Sequence, residues 1–260
     1  MKKKPDFMTV LNFLLPFISL SLLVLLWLYA SGVNSELVPS PGMLWERLVL
    51  MFEKPIGGMN IFGHILVSLR RVFLALAAAS IIGITFGVMM GWSKIFYSVF
   101  GVLFEIIRPI PPIAWLPIVI MWFGIGEFPK VLIVFIGTFM AIVINSYTGI
   151  KLIEPLFLDV GRAFNAENRQ LLTEIALPSA LPAIFAGIRN ATSAGWMTVL
   201  AGEMIAAKAG MGFLITRGME YFDVPLIMLG MICIGIVGAI LAVITDYIER
   251  WICPWVAKRA

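Results

Sequence analysis

Met8 to Ala30 is a run of 23 residues without a single charged side chain. An α-helix rises about 1.5 Å per residue, so about 20 apolar residues cross the hydrocarbon core of a bilayer. Lipid offers no hydrogen bonds to an unpaired backbone, which restricts spanning segments to helices and closed barrels. A run this long reads as helix. The run follows Lys2, Lys3 and Lys4, as a signal peptide would. Secretory apolar regions are shorter, about 7–15 residues, and "YASG" is a poor cleavage site, so we expect a retained helix. The whole chain of 260 residues is 61% hydrophobic and 13% charged, far from the near-even and quarter-charged balance of soluble domains. The expected class is an all-α integral membrane protein.

Five more apolar regions follow. Val72 to Trp92 is the second, with a start as early as His64. Within it Ala75, Ala79, Gly83, Gly87 and Gly91 recur every fourth residue, a smooth stripe for close internal helix packing. Tyr97 to Gly124 is the third, broken by Pro109, Pro111, Pro112 and Pro117 in "RPIPPIAWLP". Proline removes a backbone donor and disfavours helix before it, so such backbone survives at membrane depth only against protein or a watery cavity. Glu105 and Arg108 are spaced to pair on one face. Val131–Ile150, Ser179 to about Ala207, and Val224–Thr245 complete six spans. Between the first two, Ser40 reads as an N-cap and Pro41 as the first turn of a short surface helix carrying Leu44, Trp45 and Leu48 on one face.

Six spans put both termini on one side. With that side cytoplasmic, Lys2, Lys3, Lys4, Lys94, Lys151, Arg162, Arg169, Arg189, Arg250, Lys258 and Arg259 lie inside. Arg47, Lys54, Lys130, Lys208 and Arg217 remain outside, and the positive-inside rule selects this orientation. The expected location is a bacterial plasma membrane, with both termini cytoplasmic. The chain reads as one domain, 1–260. Residues 1–63 hold the first helix and an outer segment, 64–250 a core with a loop at 152–178, and 251–260 a cytoplasmic tail.

Several chemistries are disfavoured. The basic residues form no stripe, so nucleic acid is not an expected partner. His64 is the sole histidine and reads as an inert interfacial residue rather than a metal ligand. Cys233 and Cys253 form no CxxC pair. No Gly-Lys dipeptide occurs, so there is no phosphate-binding GxxxxGK[ST] loop, and neither HExxH nor GxSxG is present. The ionisable residues at membrane depth are Arg70, Arg71, Glu105, Arg108, Arg189 and Glu203. Such groups are costly and often functional. Most of these sit where their stems can snorkel, and structural roles are expected, Glu203 being the closest to a functional one.

The wettest stretch, "DVGRAFNAENRQLLTEIALP", lies between the fourth and fifth spans. Ile153, Leu156, Phe157, Val160 and Phe164 follow helical spacing, while Glu154, Asp159 and Arg162 point elsewhere. Asn165 tolerates the left-handed conformation and can end that helix. A second helix runs through Glu167, Arg169, Gln170 and Glu174, with Leu171, Leu172 and Ile175 apolar and Pro178 expected to interrupt it. A helix with one apolar side docked on the protein and a polar side outward suits a partner.

This stretch resembles the cytoplasmic loop motif of ABC importer permeases: E-A-A, three residues, G, nine residues, I, one residue, L-P. Asp159 stands for Glu, Val160 and Gly161 for the two Ala, and Asn165 for Gly; Ile175, Leu177 and Pro178 match outright. "PSPG", "IRPIPPIAWLPIVIMWFGIGE", "LPSALPAIFAGIRNA" and "GEMIAAKAGMGFLI" resemble the branch handling nitrate, taurine and alkanesulfonates, over nearly the whole chain. The resemblance implies a type I importer fold with a coupling helix. It implies a permease that is not itself an enzyme and binds no cofactor, with ATP and Mg on a cytoplasmic ATPase dimer. A second permease copy, an extracytoplasmic solute-binding protein and lipid are the other implied partners. Leu156, Asp159, Val160, Gly161, Arg162, Phe164, Asn165, Ile175, Leu177 and Pro178 would couple to the ATPase. Phe164 would be an apolar anchor there, Asp159 and Arg162 its polar contacts. Pro111, Pro112, Trp115 and Pro117 would shape the path, Glu203 or Met204 would face it, and Arg189 would attract an anion. The alternative is a secondary transporter driven by an ion gradient. Such transporters carry matching breaks in two halves, and the break at 109–117 has no twin.

Overall fold

The computed structural model describes residues 7–255, and its regular elements are all helical among those residues. The basic residues Lys2, Lys3, Lys4, Lys258 and Arg259 lie outside them. In chain order the helices are α1 (Phe7–Val33), α2 (Pro41–Glu53), α3 (Ile61–Trp92), α4 (Lys94–Ile107), α5 (Leu116–Phe123) and α6 (Glu127–Lys151). They continue with α7 (Pro155–Ala163), the one-turn α8 (Asn168–Gln170), α9 (Leu177–Ala206), α10 (Met211–Glu220) and α11 (Val224–Ile252). Five helices are long and apolar enough to cross a membrane. The pair α4 and α5, joined through a 3₁₀ turn at Pro112–Trp115 and bent by 90°, makes a sixth when counted as one span. This is the expected all-α membrane architecture, including the break.

The centre of the bundle is α6, with α3 on one side and α9 on the other. Backbone approach there is governed by residue size. A Cβ on Gly87 would sit 2.6 Å from the Val143 carbonyl oxygen, and one on Gly91 would sit 2.8 Å from Ile150. On the other flank, Gly187 faces Asn145 and Gly195 faces Thr138 at 2.6 and 2.7 Å. Lipid tails are as apolar as leucine, so close packing of small residues has to supply the attraction between spans. The stripe from Ala75 to Gly91 is therefore internal, as expected, with Ala75 and Ala79 fully buried. Threonine hydroxyls inside the spans are satisfied locally, while the buried Ser146 hydroxyl of α6 has no partner among the described residues. Thr85, Thr138, Thr192, Thr198 and Thr245 each donate to the carbonyl four residues back.

Several boundaries differ from the sequence reading. Helix α3 begins at Ile61, capped by Asn60, whose side chain accepts from the Gly63 N–H at 3.0 Å. Arg70 and Arg71 thus lie well inside a helix. It continues through them because Arg71 is neutralised by carboxylates from other elements. In α2, Ser40 and Pro41 cap as expected, but Leu44 and Leu48 face the core together with the fully buried Met51, while Trp45 is exposed. The inward face is completed by Arg47, which pairs with Asp223 at 2.6 Å and ties α2 to the start of α11. Pro178 does not interrupt its helix. A π-turn over Leu171–Ala176 precedes it, and the chain runs on into α9. The widened turn absorbs the donor that proline lacks and its clash with the preceding carbonyl. Helix α10 was not foreseen as a separate element.

Helix α1 stands apart. Its described side chains are mostly exposed, as suits contact with lipid, and Trp27 fastens it by donating from Nε1 to the Pro39 carbonyl at 3.0 Å.

Candidate functional site

The loop between α6 and α9 forms a built surface at one end of the bundle. Pro155 opens α7 in the N1 position, where a missing N–H costs nothing. The helix ends in a Schellman motif. Asn165 adopts φ 58°, its N–H donates to Arg162 O at 2.9 Å, and the Ala166 N–H donates to Gly161 O at 3.0 Å. Asn165 therefore makes the left-handed turn expected of it. Directly after it, Glu167 and Gln170 close a reciprocal capping box that starts α8. Two consecutive caps fix the angle between α7 and the helix leading into the membrane.

The contact holding α7 down is narrow. Gly161 is buried, and a Cβ there would lie 2.6 Å from both Ile175 Cδ1 and Leu171 Cδ2. The rest of α7 is open. Asp159 and Arg162 pair with each other at 2.9 Å and stay more than half exposed. Of the apolar face, Ile153 is packed, but Leu156, Phe157 and Val160 are about half exposed rather than docked, and Phe164, expected as an anchor for a partner, is 84% exposed. Leu156, Phe157 and Val160 instead line an open cavity of about 840 Å³, with Glu174, Ile175, Pro178, Pro182 and Trp255 on its far wall. Leu177 is half buried and packs with the cluster around Val88, Ile150 and Ala180, so the end of the loop is seated on α3, α6 and α9.

At the broken span the proline-rich turn presses into the bundle. Pro112 lies opposite Gly137 of α6 beside Thr198 of α9, while Leu116 and Val119 bury against Ile133. Pro111 and Pro117 are exposed, and Trp115 is half buried with its Nε1 donor unpaired among the described residues. The predicted Glu105–Arg108 pair forms at 3.3 Å on the exposed face of α4. Arg189 pairs with Glu249 at 3.0 Å and Asp246 at 3.4 Å, both from α11, and so is committed rather than held free for an anion.

Glu203 is not placed to face an open path in this chain. It is 1% exposed and sits in a polar cluster at the end opposite α7. Arg71 donates through Nη1 to Glu203 at 2.6 Å, and through Nε and Nη2 to both oxygens of Glu127 at 2.8 and 2.6 Å. Such paired forks are the strongest guanidinium–carboxylate geometry. Lys130 adds a second contact to Glu127, so two cations meet two carboxylates. Ser68 donates to Glu203 and accepts from the Met211 N–H; the Gly212 N–H also donates to Glu203. Thus α10, which lacks a cap of its own, takes one from the α9 carboxylate, the charge that suits a helix N-terminus. Gly210, at φ 122°, passes too close to that carboxylate for any side chain. His64 is fully buried here rather than interfacial, accepting at Nδ1 from Gly210 and bonding Ile56 O through Nε2. Met204, next to Glu203, is 38% exposed.

Residues 79–258 match the family described as the binding-protein-dependent transport system inner membrane component. The chain is 32% identical to the taurine transport system permease protein of Escherichia coli over 86% of its length and 82% of that protein's. It is 30% identical to the nitrate import permease protein of Synechocystis, over 92% of its own length and 89% of the other. The fold is similar to a chain of the inward-facing MetNI methionine ABC transporter, with a TM-score of 0.64 at 19% identity, covering 82% of this chain and 99% of that one.

Proposed function

The chain belongs to the family of binding-protein-dependent transport system inner membrane components, and on that premise we propose that it is the membrane permease of an ATP-driven importer, with α7 as its coupling helix. The observation that carries this reading is α7 itself. It is a short helix opened by Pro155 and closed by the turn at Asn165, held to the bundle at Gly161, and left with Asp159, Arg162 and the adjoining Phe164 exposed. An exposed phenylalanine beside a charge pair suits a groove on a cytoplasmic ATPase dimer, which would bind ATP and Mg. ATP-driven closure of that dimer would move α7. Leu177, packed with α3, α6 and α9, would pass the motion into the spans as a switch between two packings.

This reading puts α7 and both termini in the cytoplasm, in agreement with the excess of Lys and Arg at that end. A binding protein would deliver solute at the opposite end. A second copy of the chain would face the broken span, and the path would run along Pro111, Pro112, Trp115, Pro117 and Met204. The solute proposed is a small oxyanion of the sulfonate or nitrate class, by analogy with the taurine and nitrate relatives. Co-purification with an ATPase, followed by uptake into vesicles loaded with ATP, tests the assignment. Uptake that needs ATP and the ATPase supports it. Uptake driven by an ion gradient without ATP would establish a secondary transporter instead.

A further inference from the structure

A second concave site lies at the α7 end of the bundle, away from α7 itself. Its volume is about 400 Å³, and it is enclosed by the end of α3, the start of α4 and the end of α6. Tyr97 of α4 and Tyr147 of α6 stack across it with ring centroids 5.5 Å apart and planes 8° from parallel. The Lys151 ammonium lies 5.2 and 4.9 Å from those two ring centroids and donates to the Tyr147 hydroxyl. Lys94 enters from the first turn of α4, and Ser98 sits one turn further on.

The charged side chains that line this cleft are all of one sign. Neither Lys94 nor Lys151 has a carboxylate within ion-pair distance among the described residues, and no acidic residue lines the cleft. The nearest acid along α4, Glu105, is two turns beyond Tyr97 and is paired with Arg108. The N-terminus of α4 adds the positive end of a helix dipole, and its cap, Ser93, accepts from the Phe96 N–H through its side chain and from the Tyr97 N–H through its carbonyl. Arg47, Arg71, Arg162, Arg189, Arg217 and Arg250, in contrast, each have a carboxylate partner. Two uncompensated ammonium groups, two phenol hydroxyls and the start of a helix converge on one hollow. The ends of α3 and α6 bring the negative ends of their dipoles to the same hollow, so its net positive charge comes from the two ammonium groups.

We propose that this cleft, formed by Lys94, Tyr97, Ser98, Tyr147 and Lys151, binds a phosphate-class oxyanion. The tyrosine pair holds Lys151 in place, so its charge is positioned before the anion arrives. Both ammonium groups then contact the oxyanion, and the Tyr147 hydroxyl, which accepts from Lys151, donates its own proton to it. The same chemistry is presented by an anionic phospholipid head group and by free phosphate. The position of the cleft, between spans at one end of the bundle, is open to either source.

The test is thermal stabilisation of the full chain, with any subunit that co-purifies. One arm compares nanodiscs of phosphatidylcholine alone with nanodiscs containing phosphatidylglycerol. The other titrates inorganic phosphate, against chloride of equal ionic strength, into the phosphatidylcholine sample. The expected result is a rise in unfolding temperature in at least one arm. Lys94→Gln with Lys151→Gln should weaken the apparent binding about thirtyfold, near a factor of five per lysine. Tyr97→Phe with Tyr147→Phe keeps both charges and the ring stack, and should weaken binding less. Stabilisation by phosphatidylglycerol alone makes the site a lipid site; stabilisation by phosphate makes it a site for a soluble anion. No rise in either arm, or rises that the double glutamine variant retains in full, would overturn the proposal. The assay reads binding and not transport, so its outcome is independent of the importer reading.

Discussion

Asn165 and Glu203 each carry a structural argument that a single substitution can test. Asn165 holds φ 58° at the end of α7, in a region costing most L-residues about 1–2 kcal/mol. Replacing it with glycine should preserve the Schellman turn and the melting temperature. A β-branched replacement, Asn165→Val, should lower stability by about that amount or unwind the last turn of α7. Thermal unfolding of the two variants in the same detergent checks the pair. Glu203 is a different case, because its cost lies in burial. Its carboxylate meets Arg71, Ser68 and the N-terminus of α10 with no exposure to solvent. Removing one member of such a buried pair typically costs about 3–5 kcal/mol. We therefore expect Glu203→Ala to destabilise the purified chain sharply, with Glu127, more exposed, tolerating loss better. Equal melting temperatures for Glu203→Ala and the unmodified protein would refute the assignment of this cluster as a structural tie.

At the scale of elements, α7 depends on one small residue. A side chain at Gly161 would meet Ile175 and Leu171 at 2.6 Å, so Gly161→Val should lift α7 from the π-turn and abolish coupling without unfolding the spans. Retained helix content by circular dichroism together with lost ATP-driven uptake is the expected outcome. Most of these elements were legible in the sequence because hydropathy and helical period are local signals. The six apolar regions, the proline break and the turn at Asn165 all followed from short stretches. What was not legible depends on distant partners. Arg71 finds Glu203 across 132 positions, which turned a suspected path residue into a buried tie. Helix α10 lacks a local cap because its cap belongs to α9, so no N-cap signal precedes Met211. Pro178 looked like a stop because the π-turn that accommodates it has no composition of its own. The apolar face of α7 was read as docked because periodicity reports a face without saying what covers it.

For the whole molecule, six spans put the α7 end and the α2 end on opposite sides of the membrane. Phe164 and Lys54 lie at opposite ends of the bundle and are exposed, so single cysteines there should label from opposite faces of the membrane. Phe164→Cys should react only when the reagent reaches the cytoplasm, and Lys54→Cys with an impermeant reagent added outside. Background from the native thiols should be low. Cys253 is buried, and its thiol is pushed up by that burial and by Glu249, while Cys233 lies inside α11. Labelling of both positions from one side would reject the six-span topology. The central claim is that ATP-driven motion enters this chain through α7. It is tested most directly by measuring ATP hydrolysis and solute uptake together in vesicles carrying Asp159→Lys with Phe164→Ala. Uptake should be lost while the ATPase still turns over. Full ATP-driven uptake by the double variant would contradict it.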